Sequence, residues 1–295
     1  MPRPSSSPAA AARVTLASDP DHRPPASCEV AVDVYGGIRP ASGLDRVAEE
    51  VPVAMVYNGI SHAVMMASPC DLEDFALGFS LTEGILDRPD QLFGLDVYAS
   101  EDGIAVEMHI AGDCFARLRN QRRNMTGRTG CGLCGTESLA HAIRPIGRVP
   151  DGPTPDDTAV QRALKSLRCY QPLQEQTGAT HGAAWCDNEG RIHQAREDVG
   201  RHNALDKLIG ARIRDHGPAA FDNGFVLVSS RASFEMVHKS ASVGVRTLVA
   251  VSAATALAIR EAGKAGMTLI GFARPGRHVR YNQGEEFPVE ESIDE

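Results

Sequence analysis

The sequence predicts a mixed α/β (α+β) fold with a β-rich N-terminal part and an α/β C-terminal part. In the first part, apolar residues alternate over 28–35 and 47–57, and Asn58-Gly59 is a strong signal for a two-residue hairpin turn. In the second part, three short and nearly continuous apolar runs are separated by segments long enough for helices. These runs are 225–228, 247–251 and 267–272. Such runs are typical of buried parallel strands in βαβ units.

Composition is that of an ordinary globular protein. The chain has 295 residues, 42% of them hydrophobic, and a formal net charge of -8, which argues against a nucleic-acid binder. Residues 1–27 are rich in Pro, Ala and Ser without a secretory apolar core, and we expect a disordered leader there and an acidic tail over 284–295. No apolar run approaches the length of a membrane span. Seven scattered cysteines favour free thiols in a reducing cytoplasm.

The N-terminal elements follow in chain order. The hairpin continues into a strand over 60–66, and Pro69 and Asp71 then open a helix that ends near Gly84. Its apolar face is formed by Leu72, Phe75, Ala76 and Phe79. Two further strands, 95–99 and 104–110, flank the turn at Asp102-Gly103. We expect these elements to form a β-rich subdomain over 28–125.

A glycine-rich loop then carries a single Cys-x-x-Cys, Cys131 and Cys134. Five arginines and no acidic residue lie between Cys114 and Cys131. Nearby cations favour the thiolate, which is the nucleophilic form of cysteine. Flanking glycines allow positive φ angles and large movement. The loop is therefore predicted to carry a reactive sulfur between sites, and a helix is predicted to begin after it near Thr136.

Other roles for the two cysteines stay open. A four-cysteine zinc site needs a second close pair, and the other five cysteines are scattered singly. A zinc deaminase needs Pro-Cys-x-x-Cys and His-x-Glu, which the chain lacks. A thioredoxin-like redox pair lies between a strand and a helix in a short βαβ domain, so it is the second choice. A further alternative is that both cysteines are buried, unreactive residues with a purely structural role.

The C-terminal elements begin after a Pro/Gly/Asp-rich linker over 145–157. A helix is predicted over 158–170, a hairpin over 183–194 with its turn at 187–190, and a helix over 202–213. Ligands bind at the carboxyl ends of parallel strands. Here these ends read Ser229-Ser230-Arg231, Ser252–Thr255 and Ala273–Arg277. Hydroxyls at helix N-termini together with arginines predict an anion site, whereas the alternative is that Ser and Thr only cap helices.

A second polar block extends from Arg196 to Lys207. Asp198 is predicted to cap the following helix, and Asp206 and Lys207 are expected to be surface charges. His202 is either a proton-transfer group or ligand contact, or a hydrogen-bonded structural residue. Thr180–Ala183 either shapes a pocket or turns the chain. Farther along the chain, Glu235 and Lys239 have the i, i+4 spacing of a surface ion pair.

Four segments together resemble the formate dehydrogenase accessory sulfurtransferase (FdhD) family over roughly residues 30–282. They are Cys131–Gly135, Arg196–Lys207, Ser230–Glu235 and Thr268–Phe272. The resemblance implies a cytidine-deaminase-like three-layer core without the deaminase zinc, a homodimer, and no tightly bound metal. It also implies a cytoplasmic sulfur carrier that accepts persulfide sulfur from a cysteine desulfurase. The sulfur would go to the bis-molybdopterin guanine dinucleotide form of the molybdenum cofactor (Mo-bis-MGD), before its insertion into formate dehydrogenase.

By this resemblance, Cys131 matches the persulfide-bearing cysteine and Cys134 its companion. The cofactor-binding residues are Phe272, Ala273, Arg274, Pro275, Gly276 and Arg277, within a carrier loop and α/β core over 126–283. The chain departs from the family pattern at Thr129-Gly130, where two serines are common, and at Ser229-Ser230-Arg231, where Ser-Gly-Arg is usual. A cofactor-binding chaperone without obligatory sulfur transfer is the alternative function, and a zinc-stabilised interaction module is a third.

Overall fold

The computed structural model of the protein describes residues 23–35, 41–126 and 146–282. Cys131, Cys134 and the helix predicted near Thr136 lie outside the described residues. No helix in the described ranges is both long and apolar enough to cross a bilayer.

The N-terminal part contains six strands and two helices. The strands are β1 (Ser27–Val34), β2 (Ala41–Ala48), β3 (Val51–Tyr57), β4 (Ile60–Ala67), β5 (Leu92–Ser100) and β6 (Gly103–Ile110), and the helices are α1 (Leu72–Thr82) and α2 (Gly112–Thr126). β1 and β2 form an antiparallel pair of their own, whereas the other four strands form one sheet in the order β4-β3-β6-β5. The hairpin predicted at Asn58-Gly59 is confirmed as the β3–β4 turn.

One face of the four-stranded sheet is buried against α1 and α2. Every second residue of β3, from Val51 to Tyr57, is buried, as the alternation predicts. These side chains form one core cluster with Phe75 and Phe79 of α1 and Leu118 of α2.

The C-terminal part is a six-stranded sheet between helices. Its strands are β7 (His181–Asp187), β8 (Ile192–Asp198), β9 (Gly224–Val228), β10 (Thr247–Ala250), β11 (Thr268–Arg274) and β12 (Arg277–Arg280). Its helices are α3 (Asp157–Leu167), α4 (Pro172–Thr177), α5 (Arg201–His216), α6 (Phe234–Ser242) and α7 (Ala256–Lys264). The strand order is β12-β11-β10-β9-β7-β8, in which β9, β10 and β11 are parallel and the other pairs antiparallel.

Two apolar clusters lie on opposite faces of this sheet. One face packs against α5, α6 and α7, through residues such as Leu208, Met236 and Ala262. The other face packs against α3, through Val160 and Ala163. The three layers confirm the predicted α/β class and its parallel strands. The domain boundaries remain a prediction.

The two parts of the chain meet where α1 crosses α5. A Cβ added to Gly78 would overlap the backbone carbonyl oxygen of Asp206, and one added to Gly210 would overlap that of Asp74. The two helices therefore touch through their backbones, which only glycine at both positions allows.

Two elements of the N-terminal part differ from the sequence prediction. β2 was not predicted, and the strand expected from residue 47 instead divides into β2 and β3. The first part of the arginine-rich run before the cysteines lies in the helix α2. On it, Arg117 contacts Asp87 at 2.8 Å and Asp113 at 3.8 Å. Two carboxylates thus compensate the charge of Arg117, so this arginine is not dedicated to favouring the thiolate form of the loop cysteines.

Candidate functional site

The site is the edge of the six-stranded sheet where β9, β10 and β11 end. Because β7 is antiparallel to β9, and β8 to β7, β7 begins and β8 ends at the same edge. Five polar segments therefore come together there. They are Thr180–Ala183, Asp198–Asn203, Ser229–Arg231, Ser252–Thr255 and Ala273–Arg277. The sequence separates these segments by up to about ninety positions, and only the sheet topology unites them.

Two adjoining cavities open at this edge. The larger, of about 600 Å³, has apolar walls and carries arginines; its lining includes Leu164, Leu167, Val251, Ala273, Pro275, Arg168 and Arg274. The smaller, of about 410 Å³, is lined by polar residues that include Thr180 and His181. Both are lined by Gln171, Gln174, Gly178 and Ser229. Their volumes lie in the range of small-molecule sites.

The six predicted cofactor-binding residues divide into two groups. Ala273, Arg274 and Pro275 line the larger cavity, whereas Phe272, Gly276 and Arg277 are exposed beside it. Phe272 has a φ of 48°, a left-handed backbone conformation that is unfavourable for a non-glycine residue. Its N–H donates to the Ser252 carbonyl at 2.9 Å, which ties the β11 bulge to the end of β10.

A polar chain from α3 holds the turn after β11. Gln161 Oε1 accepts a hydrogen bond from the Gly276 N–H at 2.7 Å, and its Nε2 lies 3.3 Å from His278 Nδ1. His278 Nε2 in turn lies 3.0 Å from Asp157 Oδ1. The turn that carries Arg274 and Arg277 is therefore fixed from the α3 face of the sheet.

Several arginines at this edge have no acidic partner. Among the described residues, no carboxylate forms an ion pair with any of Arg168, Arg201, Arg231, Arg274 and Arg277. Arginines elsewhere are often paired, as Arg196 and Arg214 are with Asp74. The Nε of Arg201 is moreover buried without a hydrogen-bond partner in the described part of the chain. An edge of uncompensated guanidinium groups suits an anionic ligand.

The hydroxyls at the strand ends mostly serve the backbone. Thr255 Oγ1 accepts from the Ala258 N–H at 3.2 Å and caps α7, so the capping alternative is correct for this residue. Ser229 Oγ accepts from the Gly182 N–H at 2.9 Å, and Ser230 Oγ donates to the Arg231 carbonyl at 3.1 Å. The arginines are therefore the stronger candidates for gripping an anion.

A buried glutamate, which the sequence analysis did not single out, positions α4. Glu197 accepts hydrogen bonds from the Leu173 and Gln174 N–H groups at 2.8 and 2.7 Å and from Thr180 Oγ1 at 3.1 Å. It satisfies the free N–H groups at the start of α4. The glutamine-rich run from Gln171 to Gln176 was the only sequence signal for this wall of the cavities.

Asp206 and Lys207 of the Arg196–Lys207 block are buried, contrary to the prediction of surface charges. Asp198 is not the N-cap of α5, which is Gly200. Its carboxylate lies 2.6 Å from the Lys207 ammonium and accepts from the N–H groups of Ser68 and Gly200. Lys207 itself is fully buried. The prediction of a surface Lys207 is wrong because its ammonium is needed to neutralise Asp198.

Asp206 and Lys239 form a second buried pair. Lys239 Nζ lies 2.9 Å from both Asp206 Oδ2 and Glu83 Oε1 and 3.0 Å from Thr82 Oγ1. Burial lowers the pKa of this lysine, but the two carboxylates outweigh it and raise the pKa. The predicted Glu235–Lys239 surface pair is wrong, since Lys239 turns inward toward α1.

Glu235 contacts His202 instead, with 2.8 Å between Oε2 and Nε2. Burial lowers the pKa of His202 despite this carboxylate, and burial together with the charge of Arg201 lowers the pKa of His181. Both imidazoles are therefore mainly neutral at pH 7. His181 lines the smaller cavity, where a neutral ring can donate a hydrogen bond to an anion.

The described cysteines do not share the expected activation of the loop cysteines. Burial raises the pKa of Cys186, and it raises the pKa of Cys70 against the effect of Lys207. These two thiols remain protonated near pH 7. Within the described ranges, no group of three or more His, Cys, Asp or Glu side chains is arranged to hold a metal.

Known proteins are similar in sequence to this chain over most of its length. Residues 48–287 match the sequence model of the FdhD/NarQ family. Sulfur carrier protein FdhD of Bordetella petrii is 54% identical over 255 residues, which cover 85% of this chain and 90% of the relative. Sulfur carrier protein FdhD of Cupriavidus necator is 53% identical over 249 residues, covering 84% and 86%.

A solved structure shares the fold. It is a provisionally named formate dehydrogenase accessory protein from Desulfotalea psychrophila, with a TM-score of 0.69 and 23% identity. The match covers 88% of this chain and 97% of that one. With the family match over 48–287 and the close relatives, it follows that the chain belongs to the FdhD/NarQ family.

Proposed function

We propose that this protein is a cytoplasmic, homodimeric sulfur carrier for formate dehydrogenase. It takes persulfide sulfur from a cysteine desulfurase on Cys131 and passes it to Mo-bis-MGD before that cofactor enters the enzyme. The relatives named sulfur carrier protein FdhD support the carrier role.

One observation on this chain carries the cofactor part of the proposal. The sheet edge combines an apolar cavity of about 600 Å³ with arginines that no described carboxylate neutralises. A nucleotide presents the complementary combination, because a flat base is attached to a diphosphate. Arg274 and Arg277, on the turn held by Gln161, are suited to the phosphates. The guanine dinucleotide is the cargo of this site and not a resident cofactor.

Loading of sulfur is a thiolate exchange. The Cys131 thiolate attacks the outer sulfur of the desulfurase persulfide, so a new S–S bond forms on Cys131 as the old one breaks. The desulfurase cysteine leaves as a thiolate and takes up a proton. No net oxidation occurs, since one persulfide replaces another.

Release can use the second cysteine. The Cys134 thiolate attacks the inner sulfur of the Cys131 persulfide, the outer sulfur leaves as hydrosulfide, and a Cys131–Cys134 disulfide forms. The two cysteines together lose two electrons, and the transferred sulfur gains them. A reducing cytoplasm restores both thiols.

Co-production with formate dehydrogenase tests the proposal against the chaperone alternative. We expect Cys131→Ala to abolish activation of formate dehydrogenase, because the cargo then receives no sulfur. Cys169→Ala is the matched control, since Cys169 is an exposed free thiol. A chaperone without sulfur transfer would instead retain activation in the Cys131→Ala variant.

A further inference from the structure

We propose that α4 reads the base of the bound nucleotide, and that Glu175 makes the site selective for guanine. The inference rests on the proposed nucleotide site and adds the group that distinguishes one purine from another.

The position of Glu175 is the first argument. It lines the larger cavity, is exposed, and forms no ion pair within the described part of the chain. Its carboxylate is therefore able to accept hydrogen bonds from donor groups of a ligand in that cavity. Guanine is the common base whose Watson–Crick edge offers two adjacent donors, N1–H and the N2 amine, which one carboxylate can accept together.

A neighbouring amide supplies the complementary group. Gln171 is 6% exposed and lines both cavities, and its Nε2 is buried without a hydrogen-bond partner among the described residues. An unsatisfied buried amide costs free energy that a ligand can recover. The third group on the guanine edge is the O6 acceptor, which an amide N–H can satisfy.

The helix sets the spacing of the two groups. The Glu175 N–H donates to the Gln171 carbonyl at 2.9 Å, so Gln171, the N-cap of α4, lies one turn before Glu175, and both residues line the larger cavity. Glu197 fixes this turn by accepting the N–H groups of Leu173 and Gln174. Leu164, Leu167 and Val251 provide apolar walls for the ring.

Adenine is a poor match for this pair of side chains. It presents an amine where guanine has O6 and an unprotonated N1 where guanine has N1–H. An unprotonated nitrogen facing the Glu175 carboxylate would leave two acceptors opposed. Hypoxanthine keeps N1–H and O6 but lacks the N2 amine, so it isolates the contribution of the second donor.

Calorimetric titration of the full chain with GDP, IDP and ADP tests the assignment. We expect wild type to prefer GDP over IDP and IDP over ADP. Glu175→Gln should weaken GDP binding by about 10- to 100-fold, the value of a charge-assisted pair of hydrogen bonds, and should abolish the preference for GDP over IDP. Glu101→Gln, an exposed glutamate at the β5–β6 turn, is the control and should change neither.

Two results would overturn the assignment. If Glu175→Gln still binds GDP and its ratio of GDP to IDP affinity is unchanged, the role of Glu175 in recognising the base is rejected, but the nucleotide site is not. Failure of wild type to bind any of the three diphosphates rejects the nucleotide site as well, whereas sulfur loading on Cys131 is measured separately and does not depend on either result.

Discussion

At the scale of single residues, the buried charges are the least expected feature. Lys207, Asp198, Lys239 and Asp206 are all buried, and each ammonium lies within 3 Å of a carboxylate. Removing one member of such a pair is costly because the other charge is left unpaired in a medium of low polarity. In the sequence, Asp206 and Lys207 lie in a predicted helix, and Lys239 follows Glu235 at i, i+4 spacing, so solvent-exposed charges are the ordinary interpretation.

The two histidines of the site predict how stability depends on pH. The folded-state pKa values of His181 and His202 lie below the ordinary value of 6.5, mainly because of burial. Between the folded value and 6.5 the unfolded chain binds more protons, so the free energy of unfolding falls as the pH drops through this window. Above pH 7 the contribution of these groups is constant.

Urea unfolding at pH 7.5 and pH 5.5 checks this sign. We expect wild type to lose more unfolding free energy on acidification than the His202→Gln variant, which cannot take up the proton. The exposed His109, changed to Gln, serves as the control. An equal loss in wild type and His202→Gln would contradict the account.

At the scale of elements, the α1–α5 crossing links the N-terminal part to the site-bearing part. α5 begins at the cationic edge and crosses α1 at Gly78 and Gly210. The amphipathic pattern of α1 was readable from the sequence, but the need for a glycine in its middle was not. That need depends on a partner helix about 130 positions away.

The crossing predicts a large effect for a small substitution. Gly78→Ala places a methyl group against the Asp206 carbonyl, so the helices must separate. We expect a loss of about 1–3 kcal/mol or more in the free energy of unfolding, in spite of the better helix propensity of Ala. Gly112→Ala, where a Cβ meets nothing within 4 Å, is the matched control. Equal stability of both variants, measured by urea unfolding, would show that the crossing is not tight.

At the scale of the whole molecule, the sequence predicted the class of fold because its signals are local. A hairpin turn and three apolar runs depend only on near neighbours, and both are confirmed. The assembly of the site was predictable only in part. The predicted ends of the parallel strands included Arg274. The position of α4, which brings Gln171 and Glu175 to the cavities, depends on hydrogen bonds to Glu197 of β8, and no local sequence pattern reveals such a contact.

The proposed function assigns different roles to the sheet edge and to the cysteine loop. In the proposed function, the edge binds an anionic cargo through its cavity and uncompensated arginines, and Cys131 of the loop is the sulfur nucleophile. The structure describes the first, and the identity of the sulfur-bearing atom remains the central prediction of the account.

Intact-protein mass spectrometry after incubation with a cysteine desulfurase and cysteine tests that prediction most directly. We expect wild type to gain one sulfur atom that a reducing agent removes, and Cys131→Ala to gain none. The Cys169→Ala control should gain sulfur as wild type does. Acquisition of the same reducible one-sulfur adduct by wild type and Cys131→Ala would show that Cys131 is not the carrier.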